Sequence, residues 1–231
     1  MDCAADLHIH SCLSPCGDAL MTPNNICRMA LLKGLELIAV TDHNTARQLP
    51  AVEGVCREIG LNLLPGMELT TREEVHLLAY FRTVPEALAF SDALYPHLPD
   101  MPNRPAFFGE QQLMDAEDEP TGNEPRLLLS ALDLGLDQLT GMILAAHGLP
   151  VPAHINRGGN GLLNVLGFLP PGAPYRALEV ARHLPCPPLP DGPKRLHSSD
   201  AHRLEDIFER EVFLPLNQPT AEGFFAWIDG P

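Results

Sequence analysis

Lysine is almost absent from this 231-residue chain: Lys33 and Lys194 are the only two among fifteen basic residues, against thirty acidic ones, leaving a net charge of −15. A surface so poor in ammonium groups repels nucleic-acid backbones, so strong binding to duplex nucleic acid is not expected. Part of the negative charge would be local if carboxylates lined a metal site that bound ions neutralise. No apolar run approaches the ~20 residues that cross a membrane. The start, Met1-Asp2-Cys3-Ala4-Ala5-Asp6, has no basic stretch followed by an apolar one. The expectation is a cytoplasmic protein without a membrane partner. The six cysteines are read as reduced thiols, because a leaderless chain of this size rarely carries structural disulfides. Cys12 and Cys16 match no iron–sulfur spacing.

Length suits one domain with a sizeable core, and no internal repeat is visible. The first eighty residues alternate strand-like and helix-like stretches. Ala4 to His10 reads as a strand. Thr22-Pro23 then provides a cap and a first-turn proline for a helix that stops at Gly34. Leu35 to Val40 is apolar throughout, as in a strand buried on both faces. A weaker helix, interrupted by Pro50, ends at Gly60, and Leu61 to Leu64 and Val75 to Phe81 are further strands. This β-α-β-α-β order predicts an α/β fold with mainly parallel strands. From Pro85 to about Leu149 the character changes. Four prolines precede an acidic segment, Asp115 to Glu124, read as a solvated turn or hairpin, and Leu127 to His147 reads as one or two helices. This block is taken as an insertion over the scaffold. Strands resume at Val151 to Ile155, Ala177 to Ala181 and Glu211 to Leu214.

Histidines and acids gather at strand ends. In Asp6-Leu7-His8-Ile9-His10, side chains two apart share a face, so His8 and His10 can grip one ion. Thr41-Asp42-His43-Asn44 follows an apolar strand, at the edge where α/β folds collect ligands. Gly66-Met67-Glu68-Leu69 places a carboxylate at the end of the third strand, and His76 lies in an otherwise apolar one. Ala153-His154 and Ser198-Ser199-Asp200-Ala201-His202 complete the series. Each motif alone has an ordinary structural explanation, but the coincidence of all of them does not. Imidazole and carboxylate donors suit Mn²⁺, Fe²⁺ or Zn²⁺, and more than four imply more than one ion. Paired ions are an arrangement that clamps a phosphoryl group.

The ordered series H-x-H, an acid before a T-P helix start, T-D-H, G-x-E, a strand histidine, A-H and S-D-x-H resembles the polymerase and histidinol phosphatase (PHP) family of metal-dependent phosphoesterases, from Asp6 to His202. The resemblance implies a distorted (β/α)7 barrel, here with a mixed insertion at about 85–149, holding two to three divalent ions at the C-terminal ends of its strands. It also implies the ligands His8, His10, Asp18, His43, Glu68, His76, His154, Asp200 and His202. One ion would take His8, His10, Glu68 and Asp200. A second would take Glu68, His76 and His154, and a third Asp18, His43 and His202. The loop Ser14-Pro15-Cys16-Gly17-Asp18 is longer than the commoner form. Counting back from Thr22-Pro23 selects Asp18, with Cys16 as the fallback ligand.

The expected chemistry is hydrolysis of a phosphate ester by a metal-bridging hydroxide, with Glu68, His76, Asp200 and His202 at the catalytic centre. Arg157 is the candidate phosphate clamp, with a solvated loop arginine as the plainer alternative. Gly158-Gly159-Asn160-Gly161 reads either as a close backbone approach to substrate or as a mobile turn. Asn44 and His183 lie within reach of the same rim, with a helix cap and a surface histidine as their simpler readings. His97, His147 and His197 are read as structural. The expected partner is a small phosphorylated substrate. A short oligonucleotide end cut exonucleolytically is the alternative, and a metal-binding regulatory module without catalysis is a third reading.

Overall fold

A computed structural model of the chain describes residues 2–230. Its strands are β1 (Asp2–Ile9), β2 (Leu37–Val40), β3 (Asn62–Leu63), β4 (Gly66–Thr70), β5 (His76–Tyr80), β6 (Gln112–Met114), β7 (Pro120–Asn123), β8 (Leu149–Pro152), β9 (Ala177–Glu179), β10 (Lys194–Leu196) and β11 (Phe213–Pro215). The helices are α1 (Pro23–Leu32), α2 (Leu49–Ile59), α3 (Val84–Leu94), α4 (Pro105–Phe108), α5 (Leu136–Ala145), α6 (Leu162–Leu166) and α7 (Ala221–Asp229).

Local chemistry explains the helix starts. The Thr22 side chain accepts from Asn25 N–H at the head of α1, and Thr83 and Glu86 form a reciprocal capping box on α3. Each such cap stabilises its helix by about 1 kcal/mol. Pro50 does not interrupt α2 but lies in its first turn, where a missing N–H costs nothing, and Gly60 closes the helix in the left-handed region. The stretch Leu127 to His147 is helical only over α5. Residues before it are pinned instead by Leu128 N–H to Gln111 Oε1 and Leu132 N–H to Thr70 O.

The strands are mixed rather than mainly parallel. β1, β2 and β3 are parallel, as are β9 and β10, but β4, β5 and β8 are antiparallel throughout, and β11 joins β1 antiparallel. The reason is the short link between β4 and β5. Thr71 N–H bonds Val75 O and Glu74 takes a positive φ of 64°, and a connection this tight can only reverse the chain. Glu68 is therefore in the middle of a separate strand, β4, and not at the end of the third. The acidic segment does form a hairpin, β6–β7. Backbone contacts also link the sheets. His43 bridges Glu68, Ile155 N–H bonds Glu179 O, and Ile9 bridges Ala201.

Period-two alternation divides the apolar residues into two clusters. Ile38, Met67, Leu69, Leu77 and Ala79 face the helices, with Ile26, Val52, Phe90 and Leu139. Leu37, Leu78, Tyr80 and Val151 face the other way, with Leu7 and Phe224. Glu68 lies between Met67 and Leu69, and His76 beside Leu77, so both project to the side away from α1, α2, α3 and α5. A register shift in β1 between Asp6 and Ile9 lies where the two first histidines turn inward.

Candidate metal centre

Five histidines surround one buried carboxylate. Glu68 Oε1 lies 2.9 Å from His76 Nδ1, 3.3 Å from His8 Nε2 and 3.3 Å from His154 Nε2. Its Oε2 lies 3.3 Å from His43 Nδ1 and 3.4 Å from His10 Nε2. Asp200 Oδ1 closes the ring, 3.2 Å from His10 Nε2 and 3.4 Å from His8 Nε2, and His202 stacks on His10 with ring centroids 4.4 Å apart. The cavity in front of them has a volume of about 590 Å³.

Hydrogen bonds on the outer side settle which nitrogens face the cavity. An ionised carboxylate only accepts, so His8 Nδ1–H donates to Glu179 Oε2 at 3.0 Å and Nε2 is the nitrogen that faces the cavity. The Ser14 hydroxyl donates to Asp42 Oδ1 at 2.6 Å, so at 3.1 Å it accepts from His10 Nδ1–H, and again Nε2 faces inward. His202 Nδ1–H donates to the Asp200 carbonyl at 2.8 Å. Such partners orient imidazoles and raise their basicity as ligands.

The electrostatics are those of a site built for cations. Burial favours a neutral Glu68, yet the charges of His76 and His8 outweigh it and hold the carboxyl well below the usual range. Asp200 is lowered too, its burial overcome chiefly by His8 and His10. Burial depresses His10, but the neighbouring carboxylates of Asp200 and Glu68 reverse this and raise it to about 9. His43 is held low by burial and by His10, as is His202. Asp200, His154 and Asn44 have positive φ values of 56°, 26° and 54°. Non-glycine residues in that region cost about 1–3 kcal/mol each and persist where the surroundings hold them, commonly at functional sites.

Both Glu68 oxygens are buried without a hydrogen bond of proper geometry, although five ring nitrogens lie within 3.4 Å, and the buried Nδ1 of His43 is likewise unpartnered. Donor atoms that approach one another without bonding point at shared positions between them, as metal ligands do. The donor set fits divalent ions on this ground. Three groups have ligand atoms within 4.8 Å of one another: His8, His10 and Asp200; His43, Glu68 and His76; and His10, Cys16, His43 and His202. His154 adjoins the second group through Glu68. Asp18 is in none of them. It is exposed, and its Oδ1 accepts the Leu20 N–H at 2.8 Å.

The remaining residues singled out in the sequence fall as follows. Arg157 lines the cavity and its guanidinium is ion-paired with Asp200 Oδ2. Asn44 is no helix cap: its amide donates to Leu128 O and Ser130 O and its Oδ1 accepts from Thr70 N–H, tying the segment before α5 to β4. Asn160 donates to Glu74 O and accepts from His76 N–H, so the glycine-rich turn is fastened at that point. His183 lines a side cavity of about 240 Å³ with Arg182, beside Arg157 and Asp200. His97 pairs with Asp133, and His197 bonds the Val180 carbonyl. Sequence reasoning missed Glu179, Ser14 and the role of Asp42. It also missed that of Asp6, whose buried carboxylate accepts from Ser199 and Phe208 N–H and anchors the loop of Asp200. A charged residue ending the apolar β9 was the one local signal for Glu179.

The fold and site define a mixed α/β protein with a cluster of histidines and carboxylates that could hold metal ions. A family model of the PHP domain matches residues 6–152, and the chain belongs to this family of metal-dependent phosphoesterases, hydrolases of phosphoric ester bonds. Among characterised and uncharacterised relatives, it is 35% identical over 94 residues to an uncharacterized protein of Methanocaldococcus jannaschii, covering 37% of this chain and 55% of that one. It is 36% identical over 78 residues to the 5'-3' exoribonuclease Rnm of Salmonella typhimurium, covering 32% of this chain and 26% of that enzyme. The lesion-specific endonuclease Q of Pyrococcus furiosus superposes with a TM-score of 0.69 at 21% identity, over 97% of this chain and 55% of the endonuclease. A structure of endonuclease Q with a 27-mer duplex substrate bearing an abasic lesion superposes with a TM-score of 0.62 at 21% identity, over 88% of this chain and 50% of that one. The chain thus spans about half the length of the first relative and of the endonuclease, and about a quarter of the exoribonuclease. Among the described residues, no helix is long and apolar enough to cross a membrane.

Proposed function

We propose that this chain hydrolyses a phosphate ester at a centre of two or three Mn²⁺, Fe²⁺ or Zn²⁺ ions held by His8, His10, His43, Glu68, His76, His154, Asp200 and His202. The observation that carries the reading is the convergence of five imidazoles on Glu68, whose two oxygens are buried without hydrogen bonds. Ions bound there would supply ionised water near neutral pH and positive charge for phosphoryl oxygens. Glu179, Ser14 and Asp42 hold the imidazole protons on the outer nitrogens. Arg157, at the cavity wall, offers a guanidinium fork to a phosphate once it leaves Asp200.

The preferred substrate is a small phosphorylated metabolite or nucleotide, which a cavity of about 590 Å³ accommodates. An exonuclease acting on oligonucleotide ends is the second reading, favoured by the similarity to a 5'-3' exoribonuclease. The net charge of −15 does not exclude duplex binding, since a protein of the same fold is seen with a duplex substrate. A regulatory module without catalysis fits less well with a complete set of histidines and acids. We further read the whole chain as a single domain with an insertion at about 85–149. We read the strands as a distorted (β/α)7 barrel, supported by the pairing of β1 with β2, of β4, β5 and β8, and of β9 with β10, and by backbone bonds between these groups at His43–Glu68, Ile155–Glu179 and Ile9–Ala201.

The test is turnover of phosphomonoesters, nucleotides and short oligonucleotides by metal-reconstituted protein, together with Glu68→Ala and His76→Ala. Both variants should lose ions and at least about a hundredfold in rate. Activity near wild type alongside a fall in metal content would sink the reading.

A further inference from the structure

We propose that Cys16 is a metal ligand, completing with His43 and His202 a thiolate-bearing site that selects a borderline ion such as Zn²⁺ or Fe²⁺ over Mn²⁺ or Mg²⁺. The inference rests on the metal-centre reading above and departs from it at one position, where Asp18 was expected. The Cys16 thiol lies within 4.8 Å of ligand atoms on His10, His43 and His202 and faces the cavity that contains Glu68 and His76. Asp18, two residues on, is directed elsewhere. Its carboxylate caps the Leu20 N–H and its own N–H bonds the His202 carbonyl.

The thiol is held in place by the backbone around it. Asp42 accepts from Ser11 N–H at 2.8 Å and from the Ser11 and Ser14 hydroxyls at 2.6 Å each, which anchors the start of the loop. Ser14 N–H bonds Ser11 O and Gly17 N–H bonds Ser14 O, folding the chain back on itself around Cys16. A Cβ at Gly17 would collide with the Ser11 carbonyl, and one at Gly109 with the Pro15 carbonyl, so the turn is tight and the insertion packs directly on its outer side. The facing histidines offer lone pairs. His202 has Nδ1–H committed to the Asp200 carbonyl, and the Nδ1 of His43 lies against Glu68 Oε2, so each ring has its Nε2 free for an ion on the Cys16 side. His10 stands between this site and that of His8 and Asp200, and its single inward lone pair serves one of them at a time. Two imidazoles and a thiolate, with a water or His10 as the fourth donor, make a soft tetrahedral set, whereas Asp200 and Glu68 provide hard oxygen elsewhere in the centre. On binding, the Cys16 S–H bond breaks, its proton passes to solvent, and a sulfur–metal bond forms.

The full chain, stripped with chelator and reloaded with Co²⁺, tests this by absorbance and by metal-to-protein ratio. The wild type should show a near-ultraviolet thiolate-to-cobalt charge-transfer band. Cys16→Ser should lack the band and bind Zn²⁺ at that site roughly tenfold or more weakly. Cys16→Asp should lack the band, keep the ion count and shift competition from Zn²⁺ towards Mn²⁺. Mapping of iodoacetamide labelling by mass spectrometry adds a readout independent of any variant, with Zn²⁺ protecting Cys16 and leaving the exposed Cys186 reactive. Full cobalt loading without the band, or no protection of Cys16, overturns the inference and leaves the rest of the metal centre intact. Failure of the wild type to bind any ion overturns both.

Discussion

Glu179 holds His8 from 171 residues away: its Oε2 lies 3.0 Å from His8 Nδ1 and accepts the backbone N–H of His154 at 2.8 Å. One carboxylate thus orients two of the histidines around Glu68, and the charge it places behind His8 strengthens that ring as a donor. Burial alone would raise the Glu179 pKa, but the charge of His8 outweighs it and keeps the group ionised.

Glu179→Gln removes that charge and keeps the shape. The amide oxygen can still accept the His154 N–H, so the fold should survive while ion affinity falls about 10–100-fold. Chelator competition on purified protein measures it. Unchanged affinity would mean that Glu179 serves packing alone.

The pH dependence has a definite sign. In the metal-free protein, burial opposes a charged His10, but the carboxylates of Asp200 and Glu68 beside it raise its pKa from 6.5 to about 9. A raised histidine stabilises the fold fully below its unfolded pKa, and that contribution fades as pH climbs through about 9. Ion binding requires the neutral ring, so affinity rises over the same window, by up to about tenfold per pH unit for each proton displaced. Glu68 and Asp200, held low, stay ionised throughout. Thermal melts with chelator should therefore decline from about pH 6.5 to 9, while the gap between ion-loaded and metal-free protein widens. A gap that does not change with pH would contradict this assignment.

Gly17→Ala forces a methyl group onto the Ser11 carbonyl and must displace the loop. Leu13 and Met21 on either side are core residues, so the expected loss of stability is about 1–3 kcal/mol. The sharper expectation is a fall of about one bound ion per chain, read by metal analysis, with the helical circular dichroism retained. Full occupancy would show that the loop does not help hold an ion.

Arg157→Ala should raise KM about tenfold or more with metal content unchanged, because the side chain lies at the cavity wall and is half exposed. Arg157→Lys should recover only part of this, since an ammonium cannot present two parallel donors to a phosphate. An unaltered KM would reduce Arg157 to a partner for Asp200.

By itself, the sequence determined what local periodicity encodes. It placed His8 on a strand, with His10 one residue past that strand's end, Glu68 and His76 on strands with apolar neighbours, and α1 behind its Thr22-Pro23 start, because side-chain direction and capping depend on a few adjacent residues. Tertiary structure decided the rest. Whether β5 runs parallel or antiparallel depended on the turn at Thr71–Val75, and whether Cys16 or Asp18 faces the histidines depended on how Asp42 and Gly17 fold their loop. Glu179 and His8 meet only because β1 and β9 converge, and a hydrogen bond between residues so far apart in the chain leaves no mark on the pattern around either one.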